Sequence, residues 1–191
     1  MNLKQTLAIK PGAVALMALM AATRFDHMGT AVALPDASLA VFFLAGLLLG
    51  GRYLFALLLI EAAAVDYWAI SQMAVSDYCI SPAYVFLVPT YAAMWLAGKY
   101  CRSMQNLTIR HAVLQLIAMV SATSVAFLIS NSSFYLLSDN ISQPSWAQYL
   151  ETFSSYYSGY LSATLLYGVL ILSFVNVFRW LRAENSQHSQ I

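Results

Sequence analysis

Six apolar windows, separated by short polar or glycine- and proline-containing breaks, decide what this chain can fold into. They cover about residues 11–25, 36–51, 53–75, 82–99, 110–135 and 155–180. A membrane-crossing helix needs roughly 20 apolar residues, so the first two windows are short and the last two long. Charge is too scarce for a soluble alternative of this size. Of the 191 residues 9% are charged and 61% hydrophobic, where an average soluble domain carries roughly 25% charged residues. Mean hydropathy is +0.69. Lipid offers no partners to free backbone groups, and the long apolar runs lack the alternation of barrel strands, so the windows are expected to be helices. The chain reads as one all-α integral membrane domain, residues 1–191, with six transmembrane helices.

The breaks support that division. Pro35-Asp36 and Ser81-Pro82 suit helix starts, where proline is tolerated and a short polar side chain can cap. Gly50-Gly51 suits a tight turn into Arg52. Residues 138–158, rich in Ser, Tyr, Asn and Trp, are too long for a tight turn and are expected to form a loop or an interfacial helix.

Basic residues set the orientation. With six spans, Lys4, Lys10, Arg52, Lys99, Arg102, Arg110, Arg179 and Arg182 share one side, eight of the nine basic residues, and only Arg24 falls opposite. Slipping the count by one span scatters this asymmetry. Both termini are therefore expected in the cytoplasm. Lys4 and Lys10 followed by residues 12–22 also have the form of a signal peptide, with Ala21-Ala22-Thr23 small enough for cleavage. The charge pattern instead uses this segment as a span.

The outer side collects the unusual residues. Asp26, Asp36, Asp77, Asp139 and Glu151 fall there, five of the eight acids, with His27, Cys79 and Tyr84. Cys79 stands in the polar break SDYCISPAY, just before a helix start whose partial positive charge favours a thiolate. The other cysteine, Cys101, falls at the opposite end of the fourth window. A membrane thickness of about 30 Å separates the two, too far for a disulfide within one chain. A buried small hydrophobe is the bland reading of Cys79, and a solvated loop residue that of His27. Glu61 and Asp66 lie inside the third window, where ionisable residues are rare and point to function. Five positions apart, they diverge by about 140° and do not form a carboxylate pair. Asp66, nearer the outer end, is the better site candidate, and Glu61 is expected to satisfy polar neighbours within the bundle. Trp146, Tyr149, Phe153, Tyr156, Tyr157 and Tyr160 form either an interfacial belt or a wall for a large flat ligand.

Several chemistries are disfavoured. No phosphate-binding glycine–lysine loop is present, so no nucleotide site is expected, and the net charge of +1 gives no footprint for nucleic acid. The Cys-x-x-Cys, His-Glu-x-x-His and Gly-x-Ser-x-Gly patterns are missing too. A quinone-linked thiol oxidoreductase would need paired outer cysteines, and one is available.

In length, span number, outer His27, intramembrane Asp66 and the loop Cys79 followed by Tyr84, the chain resembles BtuM. That is a family of small bacterial vitamin B12 transporters related to the substrate-binding S-components of energy-coupling factor (ECF) transporters. The resemblance implies a six-helix bundle in the bacterial inner membrane, with its ligand pocket at the extracytoplasmic end. It implies cobalamin or cobinamide as ligand, Cys79 ligating the cobalt, and His27, Asp66 and Tyr84 as polar positions of the same site. Ala18-x-x-x-Ala22 fits the small-xxx-small pattern with which S-components meet a shared coupling subunit, although family members are often solitary. Cobalt accepts a soft thiolate or an imidazole as an axial ligand. Thiolate ligation would loosen the opposite axial ligand, cyanide in cyanocobalamin, and a reductive decyanation would draw its electrons from a donor such as a second thiol. Two other readings stay open: an S-component for another vitamin, with Cys79 structural, and an integral membrane thiol or metal enzyme using Cys79 and His27.

Overall fold

The computed structural model describes residues 11–26, 34–72, 81–105, 108–138, 141 and 145–188. Within them the chain is all-helical, with six helices and no strand. They are α1 (Pro11–Asp26), α2 (Ser38–Leu44, continued by a π turn Ala45–Leu49), α3 (Arg52–Gln72), α4 (a 3-10 turn Pro82–Phe86 leading into Leu87–Tyr100), α5 (Ile109–Leu137) and α6 (Trp146–His188). Three of these, α3, α5 and α6, are long and apolar enough to cross a membrane.

Local chemistry explains the boundaries. Asp36 Oδ1 accepts from the Ser38 amide at 2.8 Å and fixes the entry to α2. That helix ends at Gly50 and Gly51, with φ of 57° and 126°, a backbone region in which a side chain is strained. The carbonyls left over at its end are capped from a distance: Gln105 Nε2 donates to Leu47 O at 2.7 Å and Arg102 Nη2 to Leu49 O at 3.3 Å. Helix α4 starts on Ser81, whose side chain accepts from the Ala83 amide, with Pro82 in the first turn. Pro89 cannot donate back to Val85, and the turn before it takes the 3-10 form. Thr108 caps α5 by accepting from the His111 amide.

Helix α2 is the hub. Every residue from Ser38 to Leu44 is buried, and the helix packs among α1, α4 and α6. An all-round apolar surface is what a helix enclosed on every side requires. Two glycines let α2 and α4 touch backbone to backbone: a Cβ on Gly46 would strike the Trp95 carbonyl, and one on Gly98 the Phe43 carbonyl. Around that contact Phe42 stacks on Tyr91 with ring centroids 4.2 Å apart, and Phe55 meets Trp95 edge-on.

Of the stretch 138–158, expected as a loop or interfacial helix, the greater part is helical. From Trp146 onward it is the first part of α6, a helix of 43 residues. Its aromatics pack along α5: Phe153, Tyr157 and Tyr160 surround Phe127 at centroid distances of 4.9–5.5 Å. Hydroxyl pairs join the same helices, Ser124 with Tyr157 at 2.7 Å and Ser132 with Tyr149 at 2.9 Å. Tyr135 pins the turn between them, donating to Ser145 O and accepting from Ser145 N, both at 2.7 Å. Low hydropathy here marks a polar helix–helix seam rather than a break in the helix.

Candidate functional site

The last turn of α1, the first of α2, the C-terminal half of α3 and the first half of α4 converge on one buried guanidinium. Arg24 is 8% exposed. Its Nε donates to Asp66 Oδ1 and its Nη2 to Asp66 Oδ2, both at 2.6 Å. This is the two-pronged pairing that a planar guanidinium makes best with a carboxylate. Nη1 donates to the Tyr91 hydroxyl at 2.7 Å and to Ser38 Oγ at 3.0 Å, and lies 3.7 Å from Asp36 Oδ2. Tyr84 donates its hydroxyl to Asp66 Oδ2 at 2.7 Å, and Ser38 Oγ donates to Asp36 Oδ1 at 2.6 Å. Below them Thr23, fully buried, accepts from the Ala37 amide and ties α1 to the entry of α2.

Burying two charges costs several kcal/mol each, and only close pairing with full hydrogen bonding offsets it. Asp66 and Arg24 meet that condition, so the cluster ties α1, α2, α3 and α4 together through paired charges and hydroxyls. Its more open members are Asp36, with a side chain 28% exposed, and Tyr84, half-buried. A hydroxyl that donates downward to Asp66 keeps lone pairs to accept from a ligand above it.

Two of the four site residues expected from sequence, Asp66 and Tyr84, are thus in direct contact. His27 and Cys79 lie outside the described residues, as do Asp77 and Asp139. Sequence reasoning missed Arg24, Ser38 and Tyr91. The available signal was that Arg24, the one basic residue outside the charge asymmetry, ends one apolar window while Asp66 lies inside another, where a charge needs a partner.

Glu61 departs from expectation. It was to satisfy polar neighbours, yet its Oε2 is buried without a hydrogen-bond partner. Cys101 is a free, fully buried thiol beyond the end of α4, and burial pushes its pKa up, as for an inert packing residue. Among the described residues no three of His, Cys, Asp and Glu gather as a metal site would need. A cleft of about 230 Å³ lies at the other end of α2, against Leu47, Leu48 and Arg179, and not beside Asp66 and Tyr84. Neither a family model nor a curated protein matches the chain.

Proposed function

We propose that the chain is a six-span protein of the bacterial inner membrane, with both termini cytoplasmic, that binds a cobalamin-type corrinoid at its outer face for uptake. The observation that carries this reading is the bidentate Arg24–Asp66 pair with the Tyr84 hydroxyl on the same carboxylate. It stands at the outer end of α2, a helix of seven α and five π residues, which rises only about 18 Å. The hydrocarbon core is about 30 Å thick. With the basic end of the bundle at the cytoplasmic interface, the polar cluster is the floor of a recess below the outer surface. A corrin, broad and mostly apolar with amide side groups, suits such a recess. Cys79, five residues before Tyr84 in the sequence, supplies a thiolate to the cobalt, and His27 is a further polar position of the same site. Ala18 and Ala22 both face outward on α1, leaving the small-xxx-small face free for a coupling subunit.

The test is optical. Protein loaded with cobalamin in detergent is expected to show a visible spectrum that changes when Cys79 becomes Ser, as an axial ligand is exchanged. Identical spectra with and without the thiol would remove Cys79 as ligand, and absence of any bound corrinoid would favour a different vitamin. Uptake is tested by rescue of cells that depend on external vitamin B12. Failure to rescue with the protein present in the membrane sinks transport.

A further inference from the structure

The cleft at the basic end of the bundle has two kinds of wall. Leu48 and Leu172 make it apolar on one side, and Thr108, Asn176 and Arg179 make it polar on the other. One hydrogen bond orients the exposed guanidinium toward the cleft wall: Arg179 Nη2 donates to Gln105 Oε1 at 3.2 Å, and Gln105 in turn donates to the Leu47 carbonyl. No carboxylate among the described residues pairs with Arg179 as Asp66 does with Arg24. Thr108 places the start of α5 at the same cleft, where the first amide N–H groups of a 29-residue helix lack helical acceptors. A cation beside the positive end of a helix dipole is an environment for an anion.

The apolar wall says which anion. It runs out of the cleft at Ile109, 86% exposed, and along α5 through Val113 and Leu116, both exposed. The geometry points to an anionic phospholipid of the cytoplasmic leaflet, its phosphodiester between Arg179, Asn176 and the start of α5, one acyl chain along Ile109 and Val113. Basic clefts between membrane helices on this side commonly hold such head groups. The inference rests on the membrane part of the proposed function and is independent of the corrinoid.

The experiment uses the whole chain, purified in detergent and stripped of lipid, with native mass spectrometry to count adducts and thermal unfolding to read stabilisation. Phosphatidylglycerol is expected to bind and raise the melting temperature, phosphatidylcholine to do neither. Arg179→Gln is expected to weaken phosphatidylglycerol about fivefold, the loss of one cation's attraction, and Asn176→Leu to weaken it as well. Lys99→Gln, a basic residue of the same side outside the cleft, is expected to bind as the parent does. Equal binding by parent, Arg179→Gln and Asn176→Leu overturns the site. Stabilisation by inorganic phosphate that matches the lipid's overturns the lipid assignment in favour of a free anion. Recovery of the chain from the soluble fraction without detergent overturns the membrane reading itself. Failure of the corrinoid reading shows separately, in the visible spectrum, which Arg179→Gln leaves unchanged.

Discussion

Asp66→Ala is expected to destabilise the bundle by about 3–5 kcal/mol, the usual cost of removing one partner from a buried ion pair. The penalty arises from what remains. Arg24 would keep Tyr91, Ser38 and the more distant Asp36, but its Nε and Nη2 would face a hole where two 2.6 Å charge-assisted bonds had been. Tyr84 would lose its acceptor at the same time. Because the cost is mainly that of a stranded charge, removing both charges should be milder than removing one. Arg24→Leu with Asp66→Leu is expected to recover a large part of the loss, as buried ion pairs replaced by apolar residues often do. The measurement is reversible unfolding in mixed micelles for the parent, both single variants and the double. A single variant as stable as the parent would show that the pair does not hold the four helices together. Corrinoid retention separates the roles further: a double variant that is stable yet empty assigns the cluster to the ligand.

The second large effect has opposite signs at two glycines. Alanine is about 1 kcal/mol more favourable than glycine inside a helix, so Gly159→Ala, where a Cβ meets nothing within 4 Å, is expected to raise stability by up to that amount. Gly98→Ala is expected to lower it by about 1–3 kcal/mol, the range for overpacking. The obstacle at Gly98 is the Phe43 carbonyl, with Leu47 N at 3.0 Å behind it. Backbone cannot rotate aside as a side chain can. Gly46 is placed reciprocally, facing the Trp95 carbonyl with Lys99 N at 3.1 Å, so each glycine sits over the backbone of the opposite helix. Gly98→Leu would force α2 and α4 apart and is expected to prevent recovery of folded protein. Thermal unfolding of the alanine variants decides the matter: two shifts of the same sign would mean that the close crossing does not limit stability.

How much of this was legible follows from what hydropathy measures. The six apolar windows are each occupied by a helix, because lipid-grade sequence has few other ways to satisfy its backbone. Hydropathy failed along residues 146–158, where one row of aromatics, Tyr149, Phe153 and Tyr157, is half-buried and lies along α5. Their spacing carried the missing signal, since Tyr149, Phe153 and Tyr157 recur every four residues and so share one helical face. Asp66 and Tyr84 were found because an acid inside an apolar window and a tyrosine at a helix start are conspicuous. Arg24 was set aside as an exception to the charge asymmetry. Its partner is 42 residues away, and no local pattern connects them. Buried Ser38 and Tyr91 give no sign in sequence, since a serine or tyrosine near a helix end has many ordinary uses.

The hub helix has a consequence for biogenesis. A dozen residues with Asp36 and Ser38 at the entry and two glycines at the exit are shorter than the roughly 20 apolar residues of an ordinary span, and short isolated helices are marginal in any case. Segments such as α3 and α5 carry enough apolar length to enter the bilayer as they emerge from the ribosome. Helix α2 cannot be secured on those terms, because its stability comes from neighbours on every side, and α4 and α6 are synthesised after it. Its final placement therefore waits for the C-terminal half of the chain. Once α6 closes over it, α2 should hold its amide hydrogens longest of the six, although it is the least able to form alone.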